Sequence, residues 1–203
     1  AAYRVMQVAA RHGMTIVEDD PFADVLPSSA PRLAALDQLE RVVYVGSFSK
    51  TLSASLRVGY IAAARPLVSA LCDLKMVTHV STSDFVERIV HELIAGGHYL
   101  RHLRRLRARI EEVTATAIDR LERIGLAPFA PGSGGYYLWV TLPEGMDDRE
   151  LAREAAERGI FLAPGSVFMP DRAPAGAAAL RINVAYVDDP GFLGFMAERL
   201  GRA

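Results

Sequence analysis

The chain has 203 residues, 51% hydrophobic and 23% charged, with a net charge of −1. This is ordinary globular usage, with enough chain for a core in one or two domains. So small a net charge gives no global field toward nucleic acid or a membrane surface. No apolar run reaches the roughly 18 residues of a spanning helix, and Cys72 is the only cysteine, which excludes an intrachain disulfide and makes a reducing, cytoplasmic setting the simplest expectation.

Residues 1–12 read as a helix with Val5, Val8 and Ala9 on its apolar side and Gly13 as its C-cap. The chain starts inside this periodic pattern without an initiator methionine, so the expectation is a piece of a longer protein. Residues 14–17 are predicted as a short buried strand, closed by the acidic loop Glu18-Asp19-Asp20-Pro21. Residues 23–40 read as irregular. Strands are predicted at 42–45 and 57–63. Helix-type segments with short connections between these strands indicate an α/β fold with a mixed, mostly parallel sheet.

Helices follow at 66–77 and Asp84–Ala95, and Gly96-Gly97 interrupts the second. Next comes a long amphipathic helix in which Tyr99, Leu103, Leu106, Ile110, Val113, Ala117, Leu121 and Ile124 recur at spacings of three and four. At 1.5 Å per residue it is roughly 40 Å long, a length that commonly crosses between two lobes. Beyond it the pattern changes: an aromatic strand at 134–140, a helix at 148–158 ended by Gly159, strands at 160–163 and 179–184, and a closing helix at 190–200. The expected division is residues 1–98 and an α+β lobe over 99–203.

Lys50 carries the chemistry. It lies in Ser47-Phe48-Ser49-Lys50-Thr51-Leu52, directly after the apolar run 42–45, and Arg57 follows seven residues later. An unpaired buried ammonium is costly, so a lysine at the end of a buried strand is expected to have a chemical task. A desolvated amine has a depressed pKa and forms Schiff bases with carbonyls. The neighbouring hydroxyls and guanidinium suit a phosphate dianion. Together they describe a pocket for a phosphorylated aldehyde. Asp19, at the end of the neighbouring strand, can pair with a protonated ring nitrogen, and Arg181 in Leu180-Arg181-Ile182-Asn183 can clamp a carboxylate through two parallel hydrogen bonds.

These residues resemble a known family. Ser47-x-Ser49-Lys50-Thr51-Leu52, with Arg57 and Gly59-Tyr60 downstream, is similar to the lysine motif of fold-type I, class I/II aminotransferases, which use pyridoxal 5′-phosphate (PLP). Glu18-Asp19-Asp20-Pro21-Phe22 resembles their Asp-x-x-Tyr strand end. Gly134-Gly135-Tyr136-Tyr137-Leu138-Trp139 and Leu180-Arg181-Ile182-Asn183 match their small-domain segments. The run from Gly96 to Arg105 is especially similar to MocR-type regulators of the GntR group, in which a winged-helix DNA-binding domain is fused to an aminotransferase-like domain.

The resemblance implies the later part of a PLP-binding large domain over 1–98 and a small C-terminal domain over 99–203. It implies that Lys50 joins the cofactor aldehyde and shuttles protons, and that Asp19 keeps the pyridine protonated. Ser47, Ser49 and Arg57 would anchor the phosphate, and Arg181 would receive the α-carboxylate of an amino acid. Phe22 stands where the family usually has tyrosine and cannot donate to the cofactor's phenolate oxygen. The implied reaction moves an amino group between an amino acid and a 2-oxo acid, in a homodimer. The alternative is the PLP-binding effector domain of a regulator, reaching DNA only through a preceding domain.

Other readings of the same residues are weaker. Ser47-x-x-Lys50 matches the Ser-x-x-Lys of penicillin-binding acyl enzymes, but Ser83-Asp84 is followed by Phe85, Lys50-Thr51 is followed by Leu52, and the motif follows a strand rather than opening a helix. His98 and His102 lie four apart without an evident third ligand, so a solvated helix face is expected and no metal. Arg101, Arg104, Arg105, Arg107 and Arg109 are followed at once by Glu111 and Glu112, a poor nucleic-acid surface. Gly132-Ser133-Gly134-Gly135 precedes a strand and is no dinucleotide loop.

Overall fold

A computed structural model describes residues 2–25, 31–129, 135–169 and 178–201. The chain divides into two compact units, residues 1–106 and 107–203. The boundary falls within one continuous helix.

In the first unit, α1 (Ala2–Arg11) ends at Gly13, whose φ of 63° is the left-handed geometry of a helix C-cap. The Met14 N–H then returns to the Ala9 carbonyl, 2.9 Å. Residues 14 and 15 therefore belong to the helix exit. The strand predicted at 14–17 lies two residues later, as β1 (Ile16–Asp19), and includes the acidic residues. Glu18 tolerates a strand position because its carboxylate accepts from the Leu33 and Ala34 N–H groups, both 2.9 Å. Those bonds cap a short helix, α2 (Leu33–Asp37), inside the stretch read as irregular. Its cap is an acid fifteen residues upstream, which local pattern does not disclose. Asp37 then accepts from Arg41 and Val42 N–H at 2.5 and 2.8 Å and leads into β2 (Val42–Ser47).

β1 pairs with β2 in parallel, with Asp19 beside Val45. β3 (Gly59–Ala62) pairs with β2 antiparallel, giving the order β1-β2-β3. β3 is shorter than the predicted 57–63 because Arg57 sits at φ 53°, outside strand geometry. Gly46 is required: a Cβ there would overlap the Tyr60 ring on the neighbouring strand. Helices α3 (Arg65–Thr78) and α4 (Asp84–Ala95) follow. Then α5 (His98–Arg123) begins, the long helix the spacing predicts.

The second unit starts on the later turns of α5. An antiparallel sheet in the order β4-β6-β5 is formed by β4 (Tyr137–Thr141), β5 (Ala163–Pro164) and β6 (Ala179–Asn183). The strand predicted at 160–163 is thus only two residues long, and a 3-10 turn (Gly165–Phe168) follows it. Asp148, buried, accepts the Ser166 N–H at 2.7 Å and holds that turn to the start of α6 (Asp148–Glu157). Asp147 caps α6 through Arg149 and Glu150 N–H, both 2.8 Å, and Asp189 caps α7 (Pro190–Arg199) through Phe192 N–H, 2.8 Å. One core unites these elements, with Leu121, Leu126, Val140, Leu151, Leu180 and Met196 fully buried. Among the described residues no helix is long and apolar enough to cross a membrane.

Candidate functional site

Three carboxylates stand in a row at the end of β1, and the fold gives each a different task. Strand alternation puts Glu18 on the half-buried face with Ile16, where it caps α2. Asp20 pairs with Arg32 at 3.0 Å and lies 3.4 Å from the Tyr44 hydroxyl. Burial first, then the phenol of Tyr60 and the carboxylate of Asp20, push the Tyr44 hydroxyl up to about 12. Asp19 is exposed on the opposite face and has no side-chain partner among the described residues. Of the three, it alone is left available to a ligand.

The lysine loop follows β2. Phe48 O accepts from Thr51 N–H at 3.3 Å and from Leu52 N–H at 2.8 Å, so the chain turns sharply after Ser47. This turn corrects the expectation of a buried lysine. Thr51 points inward and is 3% exposed, while Lys50 is directed outward and is exposed. The Lys50 Nζ lies 5.7 Å from the centroid of the Phe22 ring, a cation–π arrangement. The loops after β1 and β2 therefore meet at these two side chains.

The three phosphate candidates differ. Ser47 Oγ accepts the Ser49 N–H at 3.1 Å, a local turn in which its own hydroxyl proton still points elsewhere. The Ser49 hydroxyl has no partner among the described residues. Arg57 is exposed, its guanidinium reaching the Ala54 carbonyl at 3.5 Å. Its left-handed φ of 53° is uncommon for a non-glycine residue and makes it the C-cap of the 3-10 turn Ala54–Leu56.

The first two turns of α5 brace this loop. Tyr99, 7% exposed, donates to Asp24 Oδ2 at 2.7 Å and lies 3.1 Å from Thr51 Oγ1. Burial first, and the Asp24 bond after it, raise the Tyr99 hydroxyl above its ordinary value. His102 Nε2 lies 2.7 Å from the Thr51 carbonyl. A carbonyl only accepts, so Nε2 carries the proton. His102 is half-buried and corrects the reading of a solvated face, while His98 is exposed and meets Arg101 at 3.0 Å. Among the described residues no cluster of three His, Cys, Asp or Glu side chains suits a metal ion.

In the second unit, Arg181 lies at the centre of β6, opposite Trp139 and Ala163. Its guanidinium carbon is 4.4 Å from the centroids of both Tyr137 and Phe168, a cation–π contact with each ring. Its Nε is buried without a hydrogen-bond partner among the described residues, a costly state unless something polar completes it. A cleft of about 510 Å³ opens beside it, lined by Tyr137, Phe161, Arg181, Asn183, Tyr186 and Phe192 among others. Of the motif residues, Gly132, Ser133 and Gly134 lie outside the described residues.

Tyr99, Asp24, His102, Tyr137 and Phe168 were not assigned to the site from sequence. A signal existed for one of them: His102 follows Tyr99 by three positions and adjoins Leu103 on the apolar stripe, so a polar ring there needs a partner. Phe168 gave none, because its place depends on the buried bond between Asp148 and Ser166.

Comparison with known proteins follows the same lines. The family profile of class I and II aminotransferases matches residues 3–191. The HTH-type transcriptional regulator YisV of Bacillus subtilis is 30% identical over 168 residues, covering 81% of this chain and 35% of the regulator. Aromatic-amino-acid aminotransferase 1 of Thermococcus litoralis is 29% identical over 191 residues, 92% of this chain and 45% of that enzyme. The crystal structure of Pyrococcus horikoshii kynurenine aminotransferase superposes with a TM-score of 0.84 at 26% identity, covering 98% of this chain and 51% of that one. The chain thus spans less than half the length of these two curated relatives.

Proposed function

This chain belongs to the class I and II aminotransferase family, and we propose that, in the protein as encoded, it binds PLP and moves an amino group between an amino acid and a 2-oxo acid. The observation that carries the reading is the division of labour at β1: Glu18 and Asp20 are engaged in the fold, and Asp19, at the end of the strand beside the one that leads to Lys50, has no side-chain partner among the described residues. A PLP-binding lobe over residues 1–98 and a small domain over 99–203 are part of the proposal, as is a homodimer.

The donor set fits the cofactor: the Lys50 amine, the Arg57 guanidinium and, without a side-chain partner among the described residues, the Asp19 carboxylate and the Ser49 hydroxyl. Bound PLP supplies an electron sink. Lys50 Nζ would hold the cofactor at its aldehyde and would carry the proton removed from the substrate α-carbon. Asp19 holds a proton on the pyridine nitrogen, because an adjacent carboxylate stabilises the cation. Ser49 and Arg57 hold the phosphate, with Ser47 contributing its hydroxyl proton. Arg181, with the Tyr137 and Phe168 rings beside it and an Nε that has no partner among the described residues, would take the substrate α-carboxylate. Phe22 offers its ring to Lys50 but no hydroxyl to the phenolate.

The chain contains two lysines, Lys50 and Lys75. Borohydride reduction of the PLP-treated protein as encoded, followed by peptide mapping, is expected to fix a phosphopyridoxyl group on Lys50. A label on Lys75, or none, overturns the reading.

A second reading uses the same residues as an effector-binding module. Three regulators support it: YisV, YdfD and the Staphylococcus aureus NorG match this chain over 81 to 90% of its length. A winged-helix pattern of about 70 residues upstream of Ala1 would favour it, with DNA contacted through that domain.

A further inference from the structure

We propose that Tyr99 and His102 are positioning residues for Lys50, acting through Thr51 as a brace between the two strand-end loops. The proposal rests on Lys50 being the cofactor lysine, and it adds which residues fix the amine in place.

The geometry has three parts. Thr51 directly follows Lys50 and, at 3% exposure, is more buried than the other buried polar residues among those described, Asp148 and Thr114. Two of its polar atoms are engaged by α5: Oγ1 with Tyr99 at 3.1 Å, and the carbonyl with His102 at 2.7 Å. Tyr99 has one proton. The shorter bond, 2.7 Å to the Asp24 carboxylate, takes it, and the Thr51 hydroxyl, whose other acceptor is the Phe48 carbonyl at 3.5 Å, faces the Tyr99 oxygen at 3.1 Å. Asp24 lies two residues past Phe22, whose ring faces the Lys50 Nζ. Tyr99 therefore ties the loop after β1 to the loop after β2, and the edge of Phe48 against Tyr99, centroids 5.6 Å apart, closes the same cluster.

The physical consequence concerns the amine. Lys50 is exposed on a turn, where ordering a long side chain carries an entropic cost that a fixed backbone lowers. Fixing the next residue at both its side chain and its carbonyl restricts the Lys50 backbone, the anchor from which Nζ reaches Phe22. Restricting a nucleophile in this way raises its effective concentration at the aldehyde without changing its chemistry. Neither Tyr99 nor His102 touches the reacting atoms. Their effect is on where Lys50 stands.

The test uses the protein as encoded and three variants. Tyr99→Phe keeps the ring and its packing but loses both hydrogen bonds. His102→Leu removes the donor to Thr51, and His102→Gln restores an N–H donor. The first readout needs no cofactor: trace acetylation followed by mass spectrometry gives the reactivity of Lys50 relative to Lys75, which serves as an internal standard. Tyr99→Phe and His102→Leu are each expected to change this ratio by about threefold or more, and to weaken PLP binding about tenfold, the size of one lost buried hydrogen bond. His102→Gln is expected to recover most of both. Unchanged ratios and unchanged PLP affinity in both loss variants, with circular dichroism showing a native fold, overturn the proposal. So does a His102→Gln protein indistinguishable from His102→Leu, since the bond to Thr51 would then not be the cause. If wild type fixes no PLP on Lys50 while the acetylation ratio responds as expected, the proposed function fails and the brace stands.

Discussion

The two units solve different problems. The unit over residues 107–203 has a continuous core, in which Leu121, Leu126 and Leu180 are fully buried. The unit over residues 1–106 has a small cluster of Ala34, Val42 and Tyr44, while Val17, Tyr60 and Ile61 are about half-exposed or more and α3 buries no residue. What holds the first unit's loops is polar: Glu18 on α2, Asp20 on Arg32, Tyr99 on Asp24, His102 on Thr51. Apolar burial is non-directional and gives stability, whereas hydrogen bonds fix geometry. The candidate lysine site therefore stands on the part of the chain with the smaller core and the more exacting polar network.

The contrast can be broken most directly in the cores. Leu121→Ala is expected to cost roughly 3 kcal/mol, as other fully buried leucines do. Trp139, the only tryptophan and a residue of β4, reports it as a lower denaturation midpoint in fluorescence. Leu74→Ala, in α3 at 56% exposure, is expected to stay within about 0.5 kcal/mol by circular dichroism. Comparable losses would mean that the first unit's helices bear load not visible in their burial.

The polar network is sharpened by a pair of acids one residue apart. Asp19→Ala in the protein as encoded is expected to lower amino transfer by about a hundredfold or more while leaving stability within about 0.5 kcal/mol. Asp20→Ala is expected to do the reverse, costing about 1 kcal/mol through the loss of Arg32 and Tyr44 contacts. Initial rates and urea midpoints on both variants separate the two. Loss of activity in Asp20→Ala alone would place the catalytic carboxylate one residue later.

The smallest effect is a pH dependence in the second unit. The N–H groups of Glu150 and Arg149 hold the Asp147 carboxylate below its ordinary value of 3.8. A lowered folded-state value means a contribution that is complete above 3.8 and lost as pH falls below it. Asp147→Asn keeps an acceptor without the charge. Its Trp139 unfolding midpoint is expected to fall less than wild type between about pH 5 and about pH 2.5. Parallel curves would remove Asp147 from the acid limb.

Much of this was legible from the residues. The spacing of Leu103, Ile110, Ala117 and Leu121 gave α5 to within a residue at each end, since a 26-residue amphipathic pattern leaves few alternatives. Asp84–Ala95 matched its helix because Ser83 and Gly96 flank it clearly. The sites were legible as residue types: Lys50, Asp19 and Arg181 stand out for their positions at or within strands. Short elements were less readable. α2 depends on Glu18 from another element, and β5 shrank to two residues where the backbone turns into the 3-10 segment held by Asp148.

The sequence alone determined the periodic elements, the family resemblance and the candidate residues, because hydrophobic spacing and rare residue combinations are local properties of a chain. Tertiary structure alone decided which acid at β1 has no partner among the described residues, that Lys50 points outward while Thr51 is buried, that Arg181 meets two aromatic rings, and that α5 grips the lysine loop. Each of these depends on partners distant in sequence: 15 residues separate Glu18 from Leu33, 48 separate Thr51 from Tyr99, and 75 separate Asp24 from Tyr99. Local propensity carries no information about such pairs, and a buried polar group takes its meaning from the partner that satisfies it.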